Sequence, residues 1–595
     1  MNQTSDAIPN SPPLSTPERL FWAALILATL CICYFHNLGA IGLVGPDEPR
    51  YAWIARDMAE TGDWVTPRLY GKPWFEKPPL YYWGAALSFK LFGVSEAAAR
   101  LPSAVCALLA TLAMAWLASR LYGAETARWL ILLLPTTVGM IGFSHAAATD
   151  MPFAAMLTIA MVFAAGILDL VPSAGFAIYT PISSFYSNTR PAGVVSLFLF
   201  GIFLGLATLA KGPAAIILSG GAVLLWATFT RRWRDAFRCL HPIAIAAFCL
   251  TALPWYILCA RRNPDFFRVF IIEHNFKRFL TPEFQHIQPF WYYVPILLIA
   301  FFPWTLALLW SVLYGTFRFL PARSPSPLTL LLLCWSGFCL LFFSLSKSKL
   351  PGYILPAIPA VALLLTRSIT SLAPIGERSF RWLLAFFSIL TCLTAAGVLW
   401  FVHANALLLR SAIALISVAC VLLLFSLANL LLSNKGSRNS TWRFAAPLCV
   451  IPILVLAYAF HSLAAPWLRY DPSGKTLARE IQQNHIPVEQ LYVQPMRRGQ
   501  QFSLNYYLGR ETQNWNRESP KEGYLLLRGK FCASEVKPPW TCVGNPIELS
   551  ASGWFVYRVQ RDDSASGPDG SAGSSNRSGS STGGDRSNLN NRQPR

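Results

Sequence analysis

Long apolar runs, separated by short polar loops, fill the chain from Leu20 to Leu463. The first, Leu20–Leu38, has roughly 19 residues, enough for a helix to cross a bilayer. Comparable runs cover Leu101–Ser119, Trp129–Phe143, Met151–Leu170, Val194–Ala210, Pro213–Thr230, Pro242–Cys259, Trp291–Leu313, Leu328–Leu345, Ile354–Leu365, Trp382–Val402, Ala406–Leu432 and Phe444–Leu463, making thirteen candidate spans. Pro79–Phe92 has only roughly 14 residues and is interrupted by Lys90, so it reads as an interfacial or re-entrant helix. The pattern predicts an all-α polytopic membrane protein of about 13 transmembrane helices. Residues 1–18 form a polar N-terminal segment on the cytoplasmic side. They lack a basic n-region, so the first run reads as a signal anchor. After Ala465 the composition turns polar. Residues 466–561 read as a small extracytoplasmic α/β domain, with a helix over Pro472–Gln483 capped by Ser473 and strands over Leu491–Gln494, Tyr524–Arg528 and Trp554–Val559. Residues 562–595, rich in Ser, Gly and Asn, read as a disordered tail.

Composition agrees with this reading. Of 595 residues, 54% are apolar and 13% charged, and the mean hydropathy is +0.42. Soluble chains carry about 25% charged residues, so an ordinary soluble enzyme is excluded, as is a disordered protein. The net charge of +20 reflects lipid and the sidedness of loops, not nucleic acid. Thirteen spans from an inside N-terminus place Arg120/Arg128, Arg231–Arg234, Arg318/Arg323, Arg367/Arg378/Arg381 and Lys435/Arg438/Arg443 inside, as the positive-inside rule requires. The same parity puts the C-terminal region outside. There Cys532 and Cys542, the two cysteines in polar sequence, are expected to form a disulfide, with two unpaired thiols as the alternative; closing so short a loop contributes roughly 3 kcal/mol.

Three outer segments break the charge rule. Residues 41–78 carry Arg50, Arg56, Arg68, Lys72 and Lys77; residues 260–290 carry Arg261, Arg262, Arg268, Lys277 and Arg278; and the turn 346–352 carries Lys347 and Lys349. Phosphate at the outer leaflet explains them; snorkelling to head groups is the alternative. The acids lie on the same face: Asp47 in Gly45-Pro46-Asp47-Glu48-Pro49-Arg50-Tyr51, and Asp150 in Ala148-Thr149-Asp150-Met151-Pro152. A carboxylate at the end of a span is costly unless partnered, and an ion pair tying helix ends is the bland reading of either.

These motifs, with Phe75-Glu76-Lys77-Pro78-Pro79-Leu80 and Lys349-Leu350-Pro351-Gly352-Tyr353-Ile354-Leu355-Pro356, together resemble the bacterial lipid A aminoarabinose transferase family. That family belongs to the polyprenyl-phosphate-sugar glycosyltransferases of the multispan C-type fold, relatives of the protein O-mannosyltransferases. The resemblance covers about residues 20 to 370; later spans match in number and hydropathy, and the C-terminal domain in kind. It implies a sugar donor on undecaprenyl phosphate, a lipid A or other periplasmic acceptor, surrounding membrane lipids as partners, no nucleic acid, and a multi-pass inner-membrane location with a periplasmic site. On this resemblance Asp47, Asp150 and Lys77 are the candidate catalytic residues. Asp47 orients or deprotonates the acceptor, and Lys77, Arg50 and Lys349 neutralise the leaving phosphate. Tyr51, Glu76, Tyr81, Tyr353 and Arg278 complete the candidate donor contacts. Aromatic residues at this level also form interface belts. Glu76 and His274 are a tentative pair of ligands for a divalent ion such as zinc. Two ligands make a poor zinc site, and a metal is not required where Lys and Arg neutralise the phosphate. Lys211, in Ala-Lys-Gly-Pro, is either part of a tight turn or a partner for the donor phosphate or an acid.

Transfer to a protein or another glycan is the alternative within the same chemistry. A flippase of lipid-linked sugars is the alternative from another class. A transporter places ionisable residues near mid-span and shows inverted repeats, whereas here the acids and bases gather at one face without a visible repeat.

Overall fold

The computed structural model describes residues 14–171, 191–277, 287–319, 325–372, 447–467, 473–494, 496–515, 522–529, 540–549 and 553–561. Contacts divide the chain into two units. The first comprises Met1–Val488 and Pro495–Thr512, and the second comprises Glu489–Gln494 and Gln513–Arg595.

In the first unit, α1 (Thr16–Leu30) starts where Ser15 N donates to Glu18 Oε2, 2.7 Å, one half of a capping box. It runs into a π-helical turn, Cys31–Phe35. A loop leads to α2 (Asp47–Thr61) and the short hairpin β1 (Arg68–Leu69) and β2 (Lys72–Pro73), then to α3 (Leu80–Phe92). Helices α4 (Glu96–Tyr122), α5 (Ala124–Leu133), α6 (Val138–Ser144), α7 (Asp150–Ile167), α8 (Pro191–Lys211), α9 (Ala214–Thr230), α10 (Trp233–Phe237) and α11 (Pro242–Arg262) follow. Then come α12 (Tyr293–Ala300), α13 (Thr305–Phe319), α14 (Pro327–Leu345), α15 (Ile358–Leu372), α16 (Ile451–Trp467), α17 (Lys475–Gln483) and α18 (Arg498–Leu508).

Among the described residues seven helices are long and apolar enough to cross a membrane, and up to nine if each bent pair is one span. Helix α3, at 13 residues, is shorter than a span, in keeping with the interfacial reading. Two runs expected to be single spans are broken: α5 and α6 meet at 64°, and the Phe290–Ala300 and Thr305–Leu313 segments at 117°. Hydropathy registers only that both halves are apolar; it carries no information on the angle between them. The expected spans Trp382–Val402 and Ala406–Leu432 lie outside the described residues.

The core is built on helix α7, which after Asp150 is apolar on every face and is buried around nearly its whole circumference. Helix α8 approaches α11 closely through Gly201 and Gly205. A Cβ on Gly201 would stand 2.2 Å from Ala244 O, and one on Gly205 2.8 Å from Thr251 Cβ. This spacing of small residues four apart lets membrane helices pack backbone to backbone.

The second unit is a five-stranded sheet of β3 (Leu491–Val493), β4 (Gln513–Asn514), β5 (Glu522–Arg528), β6 (Trp540–Leu549) and β7 (Trp554–Arg561) in the order β4-β3-β5-β7-β6. Strands β4, β3 and β5 pair in parallel, and β5, β7 and β6 antiparallel. Cys542 on β6 is disulfide-bonded, as expected for it; Cys532 lies outside the described residues. Strands β3, β5 and β7 match the sequence expectation. Helix α18 and strand β6 were not anticipated.

Candidate active site

The chain leaves the first span through a turn at Gly45, whose φ of +71° suits glycine, and enters α2 at Asp47. An acid in the first turn of a helix meets the positive end of its dipole. Arg50, one turn on and 3% exposed, gathers three acceptors. Nε donates to Pro46 O (2.7 Å), Nη1 to Glu76 Oε2 (2.7 Å) and Nη2 to Asp47 Oδ1 (2.5 Å). Its guanidinium is flanked by the rings of Tyr51, Trp74 and Phe502, at 5.6, 5.5 and 5.3 Å. Arg50 therefore holds Asp47 and Glu76 together from inside. Expected as a contact of the donor phosphate, Arg50 is here engaged by the two acids of the site. The Asp47 side chain remains 46% exposed, so its carboxylate is fixed on one oxygen and accessible to an incoming group.

Glu48, the next residue, has the opposite surroundings. Its carboxylate accepts from Arg100 Nε (3.0 Å) and Nη2 (2.8 Å), from Val44 N (2.9 Å) and from Ala147 N (2.8 Å). Arg100 spends its remaining protons on the carbonyls of Leu38, Ile41 and Gly42. This buried pair fastens the start of α2, the end of the first span and the loop before α7 to one another. Sequence reasoning missed it. The signal was an arginine at the start of an apolar run, where an unpaired cation is costly.

That loop delivers Asp150 to the first turn of α7. Lys211 Nζ, at the end of α8, donates to Asp150 Oδ1 at 2.6 Å and lies 4.6 Å from the centre of the Tyr353 ring. Gly352 fits against the same carboxylate; a Cβ there would stand 2.7 Å from Asp150 Oδ1. Of the two readings for Lys211, partner of an acid is the one observed. Lys349 Nζ donates to Ser346 O (2.6 Å) and Gln288 O (3.1 Å) and is 7% exposed. Burial, and then the charge of Lys347, lower its pKa.

Tyr51, Tyr81 and Tyr82 form a buried cluster of tilted and edge-on rings. Tyr81 Oη donates to Ala99 O, 2.8 Å, and its ring is fully buried. It belongs to the support of the site, not to an accessible donor contact as expected. Tyr82 Oη is buried and has no hydrogen-bond partner among the described residues. Lys77 is half-buried in the bend after Glu76. A cleft of about 540 Å³ opens beside Glu76, lined also by Trp74, Arg262, Asn263, Asp265 and Arg268. The side chain of His274, and Arg278, lie outside the described residues. Among the described residues no three His, Cys, Asp or Glu side chains converge as a metal site would require, and one oxygen of Glu76 is taken by Arg50.

Helix α18 covers the Gly45–Pro46 turn so closely that a Cβ on Gly499 would meet Gly45 C at 2.8 Å. It is fastened by Ser503 Oγ to Leu43 O (2.7 Å), Asn505 Nδ2 to Tyr70 Oη (3.1 Å) and Tyr507 Oη to Glu96 (2.9 Å).

The architecture is that of a multi-pass membrane protein of the C-type glycosyltransferase fold. It is similar to ArnT from Cupriavidus metallidurans bound to undecaprenyl phosphate, at a TM-score of 0.69 and 23% identity, covering 92% of this chain and 99% of that one. The model of the dolichyl-phosphate-mannose-protein mannosyltransferase family matches residues 20–270. Curated relatives named undecaprenyl phosphate-alpha-4-amino-4-deoxy-L-arabinose arabinosyl transferase include one from Aeromonas salmonicida (strain A449). It is 35% identical over 361 residues, 60% of this chain and 62% of the relative. One from Erwinia tasmaniensis is 31% identical over 451 residues, 74% of this chain and 76% of the relative. The chain matches 62% and 57% of the length of the relatives from Aeromonas salmonicida and Edwardsiella ictaluri. It belongs to this arabinosyl transferase family.

Proposed function

We propose that the protein transfers a sugar, aminoarabinose or a close relative, from undecaprenyl phosphate to lipid A at the periplasmic face of the inner membrane. The relatives' names support the donor. The observation that carries the chemistry is an accessible carboxylate, Asp47, held by a buried arginine beside a second acid, at the same end of the bundle as the Asp150–Lys211–Tyr353 cluster.

In this reading the acceptor oxygen approaches Asp47, which orients it and takes its proton where it carries one. The oxygen attacks the anomeric carbon, a new carbon–oxygen bond forms, and the bond from that carbon to the phosphate oxygen breaks. The electron pair leaves on undecaprenyl phosphate. Developing charge on that oxygen calls for cations already in place, and Lys77, Lys349 and Lys211 are the residues assigned to it. Asp150 holds Lys211 in position, with Tyr353 against it. No step requires a metal. The polar groups gather at helix ends and not at mid-span, which favours a transferase over a flippase.

The test is to incubate the purified protein with undecaprenyl-phosphate-aminoarabinose and lipid A and to analyse the lipid by mass spectrometry. Lipid A heavier by one aminoarabinose residue, with undecaprenyl phosphate released, is the expected result. Donor consumed only when a protein or another glycan is supplied would reassign the acceptor. Donor left intact with every acceptor would overturn the reading.

A further inference from the structure

Beside Asp47, a second arginine stands near Arg50 without an ion pair among the described residues. Arg498, the first residue of α18, stands with its guanidinium carbon 5.3 Å from the centre of the Phe502 ring. Arg50 stands 5.3 Å from the same ring. The two differ in how their charge is used. Arg50 is buried and ion-paired to Asp47 and Glu76. Arg498 is exposed and makes no ion pair among the described residues. Although its side chain reaches solvent, partial desolvation by the surrounding protein and then the charge of Arg50 lower its pKa, with Glu76 and Asp47 acting in the opposite direction; Arg498 thus shares one electrostatic neighbourhood with all three.

Counting charges around Asp47 shows what this cation does. Asp47, Glu76 and Arg50 sum to one negative charge. An anionic acceptor bringing its oxygen to Asp47 therefore meets net repulsion. Arg498 cancels that charge and leaves its donors open, on an arm held in place by the ring beneath it. An aromatic face restrains a guanidinium without consuming its N–H groups, and the planar fork matches phosphate.

The geometry points to Arg498 as the residue that takes a phosphate group of the acceptor and guides it to Asp47. The inference rests on the transferase reading above and names the residue that makes the site selective for a phosphorylated acceptor. The donor's own phosphate is the other source of the same chemistry. It is assigned to the lysines named above, and the arms of the experiment separate the two.

Arg498→Ala and Arg498→Lys are compared with the wild-type protein in detergent, with thermal melting as the check on folding. Because the side chain is exposed and makes no ion pair, melting is expected to stay unchanged. Three quantities are read: affinity for undecaprenyl phosphate, affinity for bisphosphorylated lipid A without donor, and the KM for that lipid A in transfer. A hydrogen-bonded charge contact of this kind corresponds to about a tenfold change in affinity. Arg498→Ala should raise the lipid A Kd and KM by about that factor, with kcat and undecaprenyl phosphate affinity held. Arg498→Lys should recover part of the loss, and dephosphorylated lipid A should bind wild type and variant alike. Weakened undecaprenyl phosphate binding with an unchanged lipid A Kd would assign the residue to the donor and overturn the inference. Unchanged values throughout would also overturn it. If wild-type protein transfers nothing to lipid A, the transferase reading fails on that result, and the donor-free lipid A Kd still decides the role of Arg498.

Discussion

Asp47 and Glu48 are neighbours in sequence with opposite roles, and sequence alone offers no means of separating them. Both sit in the first turn of α2, and both satisfy the acidic pair of the motif. The difference comes from Arg100, 52 positions away, which closes on Glu48 and leaves Asp47 to Arg50. The Glu48 and Arg100 side chains are 10% and 6% exposed. Removing one partner of such a pair strands the other charge, at a cost of about 3–5 kcal/mol. Glu48→Gln and Arg100→Ala are each expected to lower the melting temperature sharply and to lose activity through loss of folded protein. The Asp150–Lys211 pair is more exposed, at 20% and 9%, so Lys211→Ala should destabilise less while weakening undecaprenyl phosphate binding. Thermal melting in detergent, with donor binding measured on the folded fraction, checks both expectations. Arg50 shows the limit of reading charge along a chain: its sign was legible, but not its burial against Asp47 and Glu76, because those partners meet only once the loop folds back on α2.

At the scale of elements, apolar length was legible and helix geometry was not. Lengths of the spans at α4, α7, α8, α11 and α14 follow from runs of apolar residues. The breaks between α5 and α6 and between α12 and α13 do not, since a bent helix and a straight one share the same hydropathy. The close crossing of α8 on α11 was written in Gly201 and Gly205, four residues apart, but small residues are common in membrane helices and gain meaning only beside a partner. Gly201→Leu places a branched side chain where the Ala244 carbonyl already stands. Overpacking typically costs about 1–3 kcal/mol, more where backbone must move. The variant should melt lower and yield less folded protein, whereas Gly193→Leu, at a position on α8 open among the described residues, should behave as wild type. Equal melting of the two would show that the close approach is not required. Helix α18 was hidden in the sequence for a different reason. It is a polar helix of 11 residues in a segment whose composition suggests only a soluble domain, and it acquires its role by packing on the Gly45–Pro46 turn.

At the scale of the whole molecule, the ends of several helices are tied through a small set of polar groups, and His145 is one of them. His145 stacks on His461 with ring centres 4.1 Å apart and lies 3.2 Å from the His36 carbonyl. Burial lowers the pKa of His145 below its usual 6.5. The unfolded chain therefore binds protons that the folded chain resists. Stability from His145 is complete above about pH 6.5 and is lost as the pH falls below it. Melting temperatures at pH 7.5 and 5.5 should differ, and His145→Gln should reduce the difference; a variant with the same pH dependence as wild type would exclude His145 as a contributor. The membrane class and the strands β3, β5 and β7 were legible in the sequence, because each rests on periodicity counted locally. The site's inner bracing was not, because it joins residues far apart. The claim on which the account turns is that Asp47 acts on the acceptor while the donor is held by other groups. Asp47→Asn keeps the shape and removes the basicity, so undecaprenyl phosphate binding and melting should stay close to wild type while transfer to lipid A falls by about 10²–10⁴-fold. A folded Asp47→Asn protein that binds donor and transfers sugar at the wild-type rate would contradict it.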